Sequence, residues 1–358
     1  MGSSACPEAS HVRESVPRGC HTTSTGAIAD DTEEAPVRAE QRIHPAQDAV
    51  RYRESMKLGL SQLIDPRLLP LVDSTRAFYE KRGVGRGPSS RDELQLIRDA
   101  AKPPAPSSPP AVVEVVGHDD RAVPVRTYFP TSATPRGVFL DLHGGGFYLG
   151  ASAGSDIRNR ELADILGIVV VSVDYRLAPE KPWPAAPDDC ETAALWLAEH
   201  AADRFGTDRL TIGGFSAGAT LAMTTLIRLR DHGVAAYDAA VLQFGTYDLS
   251  GQTPSGRLIA DEYFIEAYAG QATERTHPDF SPIYADLGNL PPALIVIGEG
   301  DILLRDNLAM TAQLSAAGVD VDLRVYPAAP HGFTGHATPM ARAALDDIHT
   351  WLDSRLSQ

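Results

Sequence analysis

From Ala111 onward the chain alternates between two patterns of apolar and polar positions. Short runs of consecutive apolar residues, bounded by Gly, Pro or Asp, are followed by longer stretches in which apolar residues return at helical spacing. The runs "AVVEVVG" (111–117), "RAVPVRTYFP" (121–130), "GVFLDLHG" (137–144), "IVVVSVDY" (168–175), "RLTIGG" (209–214), "AAVLQFG" (239–245), "PALIVIGEG" (292–300) and "VDLRVYP" (321–327) predict strands. Helices are expected from Ser155 to Leu166, from about Pro187 to His200, from Ala217 to about Asp231, from Leu304 to Ala317 and from Met340 to Leu356. Strands alternating with helices, the strands nearly all apolar, imply an α/β fold with a mostly parallel central sheet buried under helices on both faces. No internal repeat is visible.

Upstream the pattern differs. Residues 46–101 read as helical but are broken by Pro66 and Pro70, which predicts short helices instead of one long one. "AAKPPAPSSPPA" (100–111) is a proline-rich connector that separates this segment from the main body, residues 111–358. Residues 1–45 have few large apolar side chains and no periodicity, so they are expected to be a disordered tail outside the fold. They lack the apolar core of a secretory signal, and Cys6 stands where a myristoylation motif needs Ser or Thr.

Composition narrows the function classes. The chain has 358 residues, 43% hydrophobic and 22% charged, ordinary for a globular protein. Its net charge of −15 argues against nucleic acid and anionic membranes as partners, since each needs a basic face. No apolar run approaches a membrane span. Cys6, Cys20 and Cys190 are scattered and form neither a disulfide framework nor a metal-ligand spacing, which favours a reducing cytoplasm.

Four candidate sites each fall at the end of a predicted strand, where open α/β sheets bind ligands. In "GGFSAG" (213–218) Ser216 sits between a strand and a helix with Gly214 and Gly218 around it. A serine at such a turn projects its hydroxyl out of the fold. The bland alternative is a helix N-cap. In "HGGGF" (143–147) successive glycines leave backbone N–H groups uncovered, able to face an oxygen that becomes negative when a carbonyl is attacked. Gly144 and Gly145, with the Ala217 N–H, are the expected donors; Phe147 anchors the run and His143 has a structural role. In "GEGDILLRD" (298–306) Asp301 is preferred over Glu299 and Asp306 because it occupies the turn. In "PAAPHGF" (327–333) His331 comes last. The order Ser, Asp, His after separate strands suits a nucleophile, its base and the acid that holds the base's tautomer.

These motifs, together with "DYRLAPE" (174–180), "WPAAPDD" (183–189) and "SPIYADLGNLPPALIVIGEGDILLRD" (281–306), cover most of the body. They resemble the hormone-sensitive-lipase-like group of α/β-hydrolases, the bacterial family IV esterases. The resemblance implies an α/β-hydrolase fold with a helical cap, here residues 46–101 and an insertion at about 249–276. It implies a serine carboxylesterase acting on small, fairly apolar esters, with no cofactor or metal. Arg176 and Glu180 are expected to brace loops near the site. Phe147, Phe215, Tyr263 and Phe264 are candidate substrate contacts. Phe215 and Ala219 depart from the group's usual Gly-Asp/Thr-Ser-Ala-Gly-Gly motif, which leaves the substrate open. An amidase, deacetylase or lactonase would use the same triad. A non-catalytic receptor is disfavoured by His331. A small-molecule ester is the expected partner, and a homodimer is compatible with the sequence.

Overall fold

A computed structural model describes residues 59–82, 87–131 and 134–357. The expected tail, residues 1–45, and residues 46–58 of the helical segment lie outside them. Eight strands form one sheet: β1 (Val112–His118), β2 (Arg121–Tyr128), β3 (Val138–Leu142), β4 (Val169–Val173), β5 (Leu210–Phe215), β6 (Tyr237–Gln243), β7 (Ala293–Gly298) and β8 (Val321–Tyr326). Their order is β1-β2-β4-β3-β5-β6-β7-β8, with β2 antiparallel to both neighbours and the rest parallel. The chain steps outward from β3 to β4 and then returns to the other side of β3 with β5. The reversal makes the carboxyl ends of β3 and β5 the place where a crevice opens.

The helices are α1 (Val72–Arg82), α2 (Arg91–Ala100), α3 (Asp156–Leu166), α4 (Ala185–Phe205), α5 (Ala217–Asp231), α6 (Tyr263–Ala269), α7 (Leu304–Ala316) and α8 (Pro339–Leu356). Two apolar layers flank the sheet. Val138, Leu140 and Leu142 of β3 pack with α4, α5 and α7 on one face, whereas Phe139 packs with α3 and α8 on the other. The alternation is the pleat of a strand buried on both sides, which is why these strands read as continuous apolar runs. The main-body elements match the pattern in the sequence. α4 is longer than expected, because Ala201 and Phe205 continue the buried face until Gly206, at φ +76°, ends it.

Upstream of the sheet the prolines act as the pattern implies. Pro66 opens a short 3₁₀ stretch, Pro66–Leu71, capped by the Asp65 side chain, and α1 begins only after it. In α2, Ser90 accepts from the Glu93 N–H.

A charged hub ties the region around α6 to the body. Arg228 of α5 donates to both carboxylate oxygens of Asp279 (2.9 and 2.5 Å), to Asp188 (2.9 Å) and to Glu191 (3.2 Å). Asp279 also accepts from the Trp183 indole N–H at 3.0 Å. Burial by itself pushes the Asp279 carboxyl up, but the Arg228 guanidinium outweighs it and holds the group below the usual carboxylate value. Replacing Arg228 by Met should therefore cost about 3 kcal/mol, because buried carboxylates lose their counter-ion. A folded-state pKa below the unfolded one stabilises above the ordinary Asp value and ceases to as pH falls through the folded value. Urea unfolding of Arg228→Met against the parent should show a large deficit at pH 7 that narrows below about pH 4. A deficit independent of pH would remove the ion pair as its cause.

Candidate active site

Ser216 stands between β5 and α5 with φ +54° and ψ −124°. A residue bearing a side chain is strained there. The turn is held by its own backbone: Ser216 N–H donates to Gln243 O at 2.8 Å, and Ser216 O accepts from the Ala219 and Thr220 N–H groups at 2.9 and 3.2 Å. The flanking glycines have a steric reason. A Cβ on Gly218 would lie 1.9 Å from the Leu142 carbonyl oxygen, and one on Gly214 would lie 2.3 Å from the same atom. Only residues without side chains let this turn lean on the end of β3.

His331 Nε2 lies 2.9 Å from Ser216 Oγ, and His331 Nδ1 lies 2.9 and 3.2 Å from the two oxygens of Asp301. The Asp301 side chain is fully enclosed and also accepts from the Leu303 N–H at 2.8 Å. With a carboxylate facing Nδ1, the imidazole carries its proton on that side and leaves Nε2 free to accept from the serine hydroxyl. The rival carboxylates turn elsewhere. Asp306 is buried, accepts from the Tyr247 N–H at 2.5 Å, and is pushed up to about 6 chiefly by burial. Glu299 accepts from the Ala328 N–H.

The glycine run after β3 is held from behind. The Tyr175 hydroxyl donates to the His143 carbonyl at 2.7 Å, and His143 Nδ1 donates to the Gly144 carbonyl at 2.8 Å. In a trans peptide the N–H points away from its carbonyl, so these bonds set the directions of the Gly144 and Gly145 N–H groups. Burial lowers the His143 pKa, which keeps the ring neutral, and the ring stacks on Tyr175 at 4.1 Å. Gly145 has φ +126°, and a Cβ there would sit 2.1 Å from Leu149 O. Ala217 N–H heads α5, where N–H groups have no intrahelical partner and the helix dipole favours negative charge.

The four aromatic candidates are placed differently from one another. Phe215 is half-buried, with its ring against Gly144 on one side and the Arg158 guanidinium 4.5 Å from its centroid. Phe264 lies over the glycine run, its Cβ 3.3 Å from where a Gly146 Cβ would be, and Tyr263 stacks on Tyr148 at 6.2 Å. Phe147 is fully buried, with its ring stacked 4.0 Å from Tyr268 of α6, so it anchors the loop and offers no surface to a ligand. Arg176 binds Asp189 and Glu180 binds Arg98 of α2, bracing the loop after β4. The sequence reading misses Gln243, Phe244 and Tyr175. Phe244 packs edge-on to His331 at 5.1 Å. Gln243 joins two loops, since its carbonyl binds Ser216 N–H and its side chain accepts from Thr334 Oγ1 at 2.9 Å. Each ends or closely follows a strand at the sheet edge that carries the site, which is the signal that marks them. Among the described residues no cluster of His, Cys, Asp and Glu could hold a metal ion, and no helix is long and apolar enough to cross a membrane.

A mostly parallel sheet with Ser, His and Asp joined at its carboxyl edge is an arrangement suited to hydrolysis by nucleophilic attack. Residues 139–335 match the family described by the alpha/beta hydrolase fold. The chain is 35% identical over 304 residues to an ethyl acetate hydrolase of Pseudomonas putida, covering 80% of this chain and 91% of that one. It is 32% identical to the esterase LipI of Mycobacterium tuberculosis, covering 76% and 89%. A hyperthermophilic esterase from the archaeon Pyrobaculum calidifontis superposes with a TM-score of 0.66 at 29% identity, over 81% of this chain and 98% of that one. The chain belongs to the α/β-hydrolase family, in the hormone-sensitive-lipase-like group whose motifs it carries.

The geometry distinguishes the carboxylates. Asp301→Asn should lower hydrolysis of a chromogenic short-chain ester by ~10³–10⁴-fold, because the wrong imidazole tautomer then faces Ser216. Asp306→Asn and Glu299→Gln should stay within about tenfold of the parent, as neither touches His331. Equal losses at Asp301 and Asp306 would transfer the role.

Proposed function

We propose that the chain is a serine carboxylesterase acting on short-chain, fairly apolar esters through an acyl-enzyme on Ser216. The observation that carries this reading is the 2.9 Å contact from His331 Nε2 to Ser216 Oγ, backed by Asp301 on Nδ1. Ser216 Oγ attacks the ester carbonyl carbon as His331 Nε2 takes its proton. The Gly144, Gly145 and Ala217 N–H groups bind the oxygen that becomes negative, at the positive end of α5. The tetrahedral intermediate collapses, the C–O bond to the alcohol breaks, and the imidazolium returns the proton to the departing alkoxide. Water then repeats the sequence: His331 takes its proton, the hydroxide adds to the acyl carbon, and the carboxylic acid leaves as Ser216 regains its hydrogen. Asp301 stabilises the imidazolium in both halves. The reaction as written requires no cofactor.

Two things support the choice of substrate. The family relatives bear esterase names, among them the ethyl acetate hydrolase. Phe215, Tyr263 and Phe264 supply an aromatic wall near the glycine run, suited to an uncharged acyl or alcohol group. In this reading residues 46–101 and about 249–276 form a cap, and the net charge of −15 keeps the enzyme from anionic lipid surfaces.

Ser216→Ala should abolish ester hydrolysis to within ~10³–10⁴ of the uncatalysed rate while leaving thermal unfolding near that of the parent. Substantial residual turnover would remove Ser216 from the mechanism. Along a p-nitrophenyl ester series, kcat/KM should rise from acetyl to about hexanoyl and then fall, since each CH₂ contributes ~0.8 kcal/mol only while apolar wall remains to receive it. A rate that climbs to long-chain esters, or jumps above the micelle concentration, would identify a lipase instead.

A further inference from the structure

The segment before the sheet sends one side chain deep into the loops that carry the glycine run. Arg98 of α2 is mostly buried, with 22% of its side chain exposed. Its Nη2 donates to Tyr148 O and to Ala178 O, both at 2.7 Å, its Nε donates to Tyr148 O at 3.2 Å, and its Nη1 donates to Glu180 at 2.9 Å. Ala178 N–H in turn donates to Phe147 O at 3.0 Å. One guanidinium therefore pins the loop after β3 to the loop after β4.

The bond to Tyr148 O reaches Gly145 through a single peptide. The Tyr148 carbonyl belongs to the Tyr148–Leu149 peptide. The N–H on the opposite edge of that plane, from Leu149, donates to Gly145 O at 2.8 Å, and Tyr148 N–H donates to the same oxygen at 3.2 Å. The plane is rigid, so a force that fixes its carbonyl also fixes its N–H. Gly145 admits no side chain here. Its φ of +126° is a conformation open to glycine, and the Leu149 carbonyl already occupies the space where a Cβ would go.

We propose that Arg98 is a positioning residue for the glycine turn: through the Tyr148–Leu149 peptide it fixes the Gly145 carbonyl and so anchors the C-terminal side of Gly145, whose N–H, set on the other side by His143 through the Gly144 carbonyl, is presented to the reacting carbonyl oxygen. The proposal rests on the esterase reading above. It gives α2 a task besides covering the site. The turn that carries the donor is steadied on one side by a charge on a separate helix, and a small tilt of that donor is felt in the transition state more than in the bound ester. Charge-assisted bonds to neutral carbonyls suit the task, being stronger and more directional than neutral ones.

The test is steady-state kinetics on p-nitrophenyl acetate for Arg98→Ala and Arg98→Lys, with Arg91→Ala as a control. Arg91 faces the same Glu180 from 3.7 Å but is largely exposed and reaches no carbonyl of the turn. Arg98→Ala should lower kcat by about tenfold to a hundredfold, the scale of a misplacement near 1 Å. KM should move by less than about threefold, because the lost interaction belongs to the transition state. Inhibition by an alkylboronic acid, which forms a tetrahedral adduct on Ser216, should weaken in step with kcat. Millimolar ethylguanidinium should restore part of the kcat of Arg98→Ala and leave the parent unchanged, which repair of general stability would not do. Arg98→Lys, with one compact ammonium and no planar fork, should fall between. Wild-type kcat in Arg98→Ala would overturn the proposal, as would a loss shared equally between kcat and KM without guanidinium rescue. Should Arg98→Ala not fold, Arg98→Lys decides: lowered kcat at unchanged KM upholds the proposal and parental kcat overturns it. A parent inactive on every ester would refute the esterase reading itself.

Discussion

The closest approach in the site is between backbones. Gly214 and Gly218, on either side of Ser216, both crowd the Leu142 carbonyl, so closely that a single added carbon on either would overlap it. Leu142 is the last residue of β3, and the glycine run begins two residues later. The proposed nucleophile and the proposed donors therefore share one immovable neighbour. Their separation is set by van der Waals contact between main chains, which is far stiffer than contact between side chains. This stiffness lets Ser216 persist at φ +54°, because the surrounding contacts over-determine the strained turn.

The proposed acid and base are located by a different route. His331 lies on a loop beyond β8, two strands away from β6, and reaches Ser216 across the sheet edge. Gln243 spans part of that distance by holding Ser216 through its carbonyl and Thr334 of the histidine loop through its side chain. Phe244 backs the imidazole, and Asp301 closes its far side from a fully enclosed position. On the other flank, the Tyr79 hydroxyl meets His336 Nδ1 at 3.0 Å, so α1 touches the histidine loop as α2 touches the glycine run. The region upstream of the sheet thus bears on both moving parts of the proposed mechanism.

Much of this is legible in the amino-acid order, for a physical reason. Strands buried on both faces must be continuously apolar, and loops at their carboxyl ends carry the chemistry. Ser216, the glycine run and Asp301 each follow such a strand, whereas His331 follows β8, an edge strand only partly buried from Val321 to Arg324. The aromatic contacts are harder to read, because a Phe says only that it will be buried or will line something. Phe147 is buried against Tyr268, whereas Phe264 faces the glycine run, and nothing local separates the cases. Arg98 carries no signal at all. Apart from Glu180, its partners are main-chain carbonyls of Tyr148 and Ala178, which any residue could supply, brought near only by the fold. The sequence separates Asp301 from Asp306 only by its place at the turn. They differ because Asp306, in the first turn of α7, faces inward to the Tyr247 N–H, whereas Asp301 precedes the helix and stays at the sheet edge.

Phe215, one of the two positions at which the chain leaves its group's usual motif, has surroundings that say what the change does. The ring is held between Gly144 and the guanidinium of Arg158. Arg158 is tied at 3.2 Å to Asp141, a buried carboxylate on β3 that also accepts from Asn159 and Ser172. The charge of Arg158 has its counter-charge at contact distance, so the pair acts beyond a few ångströms as a dipole. Phe215 therefore contributes shape more than charge. A polar side chain in its place would introduce a hydrogen-bonding group beside Ser216 and open a gap under Arg158. The aromatic ring closes that gap and leaves an apolar surface next to Ser216, which on the proposed reading suits an uncharged ester better than a substrate bearing a charge close to its scissile bond.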